Sequence, residues 1–206
     1  MNICTLCMEQ IKSKTIGNFL LKTPLCNKCL NEFEPKFRKF EIMGIKGEAI
    51  YEYNEFIKST LYRYKGLYDV VLAPIFIERY RYYFKLKYKG YIVLPAPSSF
   101  ESDKERGFNH VVKMFNLLKM PVLQAFYKKT KYKQSDLTLE EREKVKEKIG
   151  IKTNLKIYGK KILLVDDLLT TGSTMKTLIK LIEIYKPKSI KVLVMAYTTI
   201  KKDYKI

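Results

Sequence analysis

Ile162-Leu163-Leu164-Val165-Asp166-Asp167-Leu168-Leu169-Thr170-Thr171-Gly172-Ser173-Thr174 is the stretch on which the reading of this chain turns. Its first four residues are apolar and run straight into two acids. A small, hydroxyl-rich turn follows after a two-residue apolar step. From Met175 the periodicity becomes helical, with Leu178, Ile179, Ile182 and Tyr185 on one side. A buried strand, a tight polar turn and a helix start, in that order, make half of a parallel βαβ unit. The N–H groups of a first helical turn have no partner inside the helix, and the helix dipole places partial positive charge there. Gly172 permits close backbone approach, and the Thr and Ser hydroxyls add donors. The turn is therefore suited to a phosphate monoester. Asp166 and Asp167 are placed to accept hydrogen bonds from sugar hydroxyls, or to meet a metal through water.

No Gly-Lys-Ser/Thr follows, so the turn is not a Walker A loop, and the G-x-G-x-x-G of a dinucleotide site is absent. The competing reading is an ordinary strand-turn-helix with Asp before the helix. The stretch resembles the motif with which type I phosphoribosyltransferases bind phosphoribosyl pyrophosphate (PRPP). That resemblance implies an acidic pair on the ribose hydroxyls and a T-T-G-x-T loop around the 5′-phosphate, with Mg²⁺ accompanying the PRPP.

At 206 residues the chain holds one good-sized α/β domain and a small appendage. An apolar fraction of 47% suits a globular core. No apolar run approaches the roughly 20 residues of a bilayer-spanning helix, and the opening M-N-I-C-T-L-C does not read as a signal peptide. The expected location is the cytoplasm. The charge is abnormal: 40 Lys and Arg against 21 Asp and Glu give +19. Such a field draws polyanions, namely nucleic acid, acidic membrane or phosphorylated substrates. AT-rich coding explains why the cations are Lys, but not why the acids fail to balance them.

All the cysteines lie near the start, as Cys4-x-x-Cys7 and Cys26-x-x-Cys29, with 18 residues between the pairs. That spacing predicts a structural zinc ribbon whose ligands are Cys4, Cys7, Cys26 and Cys29. A thioredoxin-like dithiol needs only one pair within a βαβ setting. In a module of some 40 residues the metal supplies most of the folding free energy.

Phe33 to Gly47 reads as a basic-apolar connector, which divides the chain into a zinc module with its connector over 1–46 and an α/β domain over 47–206. Ile50–Tyr53 reads as a short strand, and Asn54 as the cap of a helix to about Tyr64. In Pro74 to Tyr91 the cations Arg79, Arg81, Lys85, Lys87 and Lys89 alternate with Tyr80, Tyr82, Tyr83, Phe84 and Tyr88. Cations tracking a backbone while rings stack on bases is one way to hold single-stranded nucleic acid. The other reading is an amphipathic helix with its rings in the core and Lys stems reaching outward. Ile92–Leu94 is a strand ending in Pro95-Ala96-Pro97-Ser98-Ser99, the second strand-then-turn that a doubly wound sheet needs. Arg106-Gly107-Phe108-Asn109-His110 opens a helix. The polar stretch over about 126–148 reads as an active-site hood, and its Lys128, Lys129, Lys131 and Lys133 join the basic-aromatic run as candidate contacts to single-stranded DNA.

Taken in order, the C-x-x-C pairs, Tyr64-Lys65-Gly66, Pro95-Ala96-Pro97, Arg106-Gly107-Phe108-Asn109, the series Gln134, Leu137, Arg142 and the V-D-D-L-L-T-T-G-S-T run resemble the ComF family of late-competence proteins. The resemblance covers nearly the whole chain. It implies a type I phosphoribosyltransferase-like fold: a doubly wound, mostly parallel sheet with a small N-terminal Cys4 zinc ribbon. It places Ala96, Pro97 and Ser98 in the pyrophosphate loop beside Asp166, Asp167, Thr170, Thr171, Gly172, Ser173 and Thr174. It further implies DNA uptake during transformation, a DNA-translocating competence helicase as partner, and a location at the periphery of the membrane uptake machinery. Two departures stand out. His110 occupies a position that is usually Gln, and the run around Tyr82 to Tyr91 is unusually basic and aromatic. His110, the sole histidine, reads as a polar helix residue near the ligand loop, since neither G-x-S-x-G nor a free Cys accompanies it. Three functions remain open: a single-stranded-DNA-handling competence protein, a working phosphoribosyltransferase with Asp166 and Asp167 as its catalytic acids, and a zinc-stapled scaffold.

Overall fold

The computed structural model describes residues 3–11, 24–128 and 149–198. Within them, Cys26 caps α1 (Asn27–Glu32), which leads into strands β1 (Arg38–Ile42) and β2 (Ile45–Glu52). Helix α2 (Glu55–Gly66) follows, capped by Asn54, whose Oδ1 accepts from Ile57 N at 2.8 Å. Two 3₁₀ segments, Val70–Phe76 and Glu78–Tyr80, precede α3 (Arg81–Lys87) and β3 (Tyr91–Pro95). Next come α4 (Phe100–Arg106), α5 (His110–Phe115), a 3₁₀ turn at Asn116–Leu118, and the short β4 (Phe126–Lys128) and β5 (Ile149–Ile151). β6 (Lys161–Leu169), α6 (Ser173–Glu183) and β7 (Ser189–Tyr197) complete the chain.

The main sheet has the order β1-β2-β7-β6-β3. β2, β7, β6 and β3 run parallel, and β1 is an antiparallel edge. β6 and β7 lie inside the sheet, covered on both faces, which is why both read as continuous apolar runs. Their alternating residues divide between two cores. Leu163, Val165, Leu193 and Met195 pack with α2, α5 and Val70–Phe76, while Ile162, Leu164, Val192 and Val194 pack with the Met175-Leu178-Ile179-Ile182 stripe of α6. β4 and β5 pair antiparallel in a separate small sheet, at the two ends of the stretch expected to form the hood.

The connector expected over Phe33–Gly47 is largely sheet. Met43 and Gly44, with φ of 52° and 77°, close the two-residue hairpin between β1 and β2. Gly47 lies beneath the Phe40 ring, where an added Cβ would meet ring carbon at 2.3 Å. These glycines serve a turn and a close approach rather than a hinge. The cysteine segment is likewise part of the main body. Cys4, Leu6, Leu25, Cys26, Cys29, Leu30 and Phe33 share one hydrophobic cluster with Ile50, Ile57 and Leu61.

Candidate functional site

β3 and β6 are adjacent and parallel, so the turns leaving their C-terminal ends lie side by side, where open α/β sheets hold ligands. A cavity of about 720 Å³ opens there. Ala96, Pro97 and Ser98 line it from the β3 side, Asp166, Asp167 and Leu168 from β6, and Ser173, Thr174 and Thr177 from α6. The strand runs through the acids to Leu169 rather than ending at them. Thr170, Thr171 and Gly172 form the turn itself and are not among the cavity-lining residues. Gly172 takes the left-handed conformation, φ 65°, at the N-cap of α6. Thr171 Oγ1 donates to Ser173 Oγ at 3.1 Å, so the hydroxyls are gathered at the helix start.

Successive strand residues face opposite ways, and the two acids meet different surroundings. Asp167 is buried, and its Oδ2 accepts from Lys65 Nζ at 2.7 Å. His110 Nε2 lies 3.3 Å from the same oxygen. Arg106 Nη1 lies 3.1 Å from His110 Nδ1, and a guanidinium only donates. Nδ1 therefore accepts, Nε2 carries the proton, and His110 points it at Asp167. Arg106 Nε also donates to the Lys65 carbonyl at 2.9 Å, and Tyr64 Oη to the His110 carbonyl at 2.7 Å. Burial alone would raise Asp167, but the His110 hydrogen bond and the Lys65 charge outweigh it and hold the carboxyl well below the usual range. Asp166 moves the other way. Its partial burial and the Asp167 charge push it well above its ordinary value, against the Asp167 N–H that its Oδ1 accepts at 2.9 Å.

Lys65, Arg106 and His110 thus belong to the cavity, and His110 lies near the ligand turn, as its place in the sequence suggested. Lys65 and Arg106 appear in the sequence only as members of short motifs without a role. No local signal says that α2 meets the end of α4 and the start of α5 beside Asp167 of β6.

The thiols of Cys4, Cys7, Cys26 and Cys29 all lie within 4.8 Å of one another, and none is in a disulfide. Cys7 Sγ and Cys26 Sγ are 3.6 Å apart. A tetrahedral zinc with Zn–S of about 2.3 Å needs an edge of about 3.8 Å, so the donor set fits this metal. Cys29 N donates to Cys26 Sγ at 3.5 Å. Burial would raise Cys4, but N–H groups of Cys7, Cys26 and Leu6 bring it down to about 7, favouring the ligating thiolate. The cluster shares no residue with the cavity.

The basic-aromatic run divides between the two readings given for it. Phe84 and Tyr88 are buried, their rings stacked at 6.2 Å, whereas Tyr82 and Tyr83 are exposed beside Lys85. Arg79 lies over the Tyr80 ring, and Arg81 over the Tyr82 ring at 4.4 Å. Lys87 Nζ is engaged with Glu48 at 2.6 Å, and Lys89 is exposed. Tyr88 is 5% exposed and bonded to Glu48, so it offers no face to a base. Of the hood lysines, Lys128 lines the cavity. Lys129, Lys131 and Lys133, with Gln134, Leu137 and Arg142, lie outside the described residues.

Fold and site together define a phosphoribosyltransferase-type domain, and the phosphoribosyl transferase domain family matches residues 105–205. Competence protein ComFC of Streptococcus pneumoniae (strain ATCC BAA-255 / R6) is 29% identical over 214 residues, covering 91% of this chain and 96% of its own length. Competence protein ComFC of Bacillus subtilis (strain 168) is 32% identical over 132 residues, covering 63% of this chain and 55% of its own. This chain is a homologue of the ComFC competence proteins, as its ordered motifs implied. Among solved structures, a hypoxanthine-guanine phosphoribosyltransferase from Bacillus anthracis aligns with TM-score 0.40 and 16% identity, covering 65% of this chain and 73% of that one. A purine phosphoribosyltransferase from Pyrococcus horikoshii aligns with TM-score 0.37 and 18% identity, covering 66% and 80%. No helix among the described residues is long and apolar enough to cross a membrane.

Proposed function

We propose that this protein serves DNA uptake during natural transformation, handling single-stranded DNA on a fold that binds PRPP with Mg²⁺. The observation that carries the PRPP part is the cavity that Asp166 and Asp167 line together with the Ala96-Pro97-Ser98 turn and with Ser173 and Thr174 at the N-terminus of α6. In this reading the 5′-phosphate meets Thr170, Thr171, Gly172, Ser173 and Thr174, and the ribose hydroxyls meet the acids. Mg²⁺, when bound, screens the pyrophosphate charge. Lys65 and His110 keep Asp167 ionised so that it accepts rather than donates. The competence role, a helicase partner and a place in the cytoplasm beside the uptake machinery rest on the homologues' name and on the residue motifs shared with that family. Single-strand binding rests on the +19 charge and the exposed Tyr82, Tyr83, Lys85 and Lys89. The zinc reading rests on the four convergent thiols.

Calorimetric titration with PRPP and Mg²⁺ tests the site. Wild-type protein binds, and Asp167→Asn weakens binding by roughly ten- to a hundredfold, the worth of one charge-assisted hydrogen bond. Unchanged affinity in this variant removes the acid pair from the site. A working transferase is the second reading, favoured by two adjacent carboxyls whose surroundings push their proton affinities in opposite directions. Pyrophosphate released from PRPP on adding a nucleobase establishes it.

A further inference from the structure

We propose a second ligand site, a groove at the opposite end of the main sheet, that takes the phosphates of a single DNA strand. The proposal rests on the single-strand reading above and says where the strand lies. A cavity of about 790 Å³ opens beside the start of the parallel strands. Tyr91 begins β3, Lys191 lies near the start of β7, and Lys46 near the start of β2. Lys39, Phe40, Glu41, Glu48, Lys87 and Tyr88 also line it, and no residue lines both this groove and the cavity at the phosphate turn.

Its charges are arranged for an anion. Glu48, on the floor, is 5% exposed and already neutralised: Lys87 holds one carboxylate oxygen at 2.6 Å and Tyr88 Oη the other. Glu41 stands directly across the β1–β2 ladder from Lys46. Lys39, Lys46 and Lys191 line the groove and make no ion pair with a described residue, so with Glu48 held by Lys87 the cations there exceed Glu41, the acid left without one. An ammonium on a flexible stem is a point charge with three rotatable donors, adaptable to successive phosphates. At the lip, Tyr83 is 52% exposed, with Lys87 Nζ 3.2 Å from its hydroxyl. Lys87 Nζ lies over that ring 5.2 Å from its centroid, and an unpaired base can stack on the part left exposed. Lysines along a groove beside an exposed ring, outnumbering Glu41, the one acid there that no cation holds, and with no amide side chain in the lining, fit a strand gripped without sequence preference.

The test is fluorescence anisotropy with a labelled oligothymidylate across a salt series, on wild type and on the Lys39→Ala/Lys46→Ala/Lys191→Ala variant. Loss of three phosphate contacts, at about −0.7 each, should flatten the log–log salt slope by about two units. Tyr83→Ala should weaken binding roughly tenfold at fixed salt. Saturating PRPP with Mg²⁺ should leave the strand bound, and the triple variant should bind PRPP as wild type does, which also reports its folding. A triple variant with wild-type affinity and slope, or displacement of the strand by PRPP, overturns the groove while leaving DNA binding in place. A wild-type protein that ignores the strand overturns the single-strand reading and the groove together.

Discussion

Burial and the adjacent charge drive the Asp166 carboxyl upward, while Lys65 and His110 hold Asp167 down, although the two residues are neighbours in the chain. The difference comes from what stands above each face of β6. For Asp166 the folded value exceeds the unfolded one, so its protonated form favours folding. That contribution is present at low pH and is lost as pH rises through the folded value. At neutral pH the ionised form costs stability, and Asp166→Asn removes the cost while keeping the acceptor for the Asp167 N–H. The variant should melt higher at pH 7, by roughly 2–4 °C if the relief is about 1 kcal/mol, with the gain vanishing near pH 4. PRPP affinity should fall in the same variant, stability and ligand binding trading against each other. Thermal scans at the two pH values check the first part; an equal shift at both contradicts the electrostatic account. Asp167 has the opposite sign. Its contribution is present above the unfolded value and is lost only as pH falls through its depressed folded value.

Two elements carry the site's geometry. The turn before α6 depends on Gly172 at φ 65°, where an L side chain is strained by about 1–2 kcal/mol. Gly172→Ala should lower stability by about that amount, read from denaturant unfolding, and weaken phosphate binding as the turn relaxes. A loss of affinity with unchanged stability would point to the Cβ obstructing the ligand instead. Helix α2 links two sites the sequence keeps apart. Arg63 Nη1 donates to the Leu6 carbonyl, inside the Cys4–Cys7 turn, at 2.6 Å. Lys65, two residues on, meets Asp167 at 2.7 Å. Arg63→Ala should cost about 1–3 kcal/mol of stability and speed zinc release to a chelator, though Arg63 is no ligand. A chromogenic zinc assay with wild-type release rates in the variant would show that the bond does not brace the cysteine turn.

For the molecule as a whole, the shared cluster of Cys26, Cys29, Leu30 and Phe33 with Ile50, Ile57 and Leu61 decides how it unfolds. A detached zinc module would melt alone when the metal is stripped. With one continuous core, chelation or Cys26→Ser should lower a single cooperative transition, seen together by far-ultraviolet circular dichroism and tyrosine fluorescence. Two separated transitions would restore the independent module. What the sequence by itself determined were features encoded over short spans. Apolar runs, the acid pair and the small turn specify the β6–α6 unit, and the paired C-x-x-C spacing specifies the thiol cluster, because strand period, helix capping and ligand bite are local constraints. The edge hairpin was hidden, since Met43-Gly44 lacks the Asn-Gly or Asp-Gly that marks such a turn, although Lys39-Phe40-Glu41-Ile42 alternates polar and apolar as a half-buried strand does. The convergence of Lys65, Arg106 and His110 on β6 was decided only in the tertiary structure. So were the burial of Tyr88 and the gathering of Lys39, Lys46 and Lys191 in one groove. Each joins residues tens of positions apart, and their distances follow from strand order and helix packing, which local periodicity does not record.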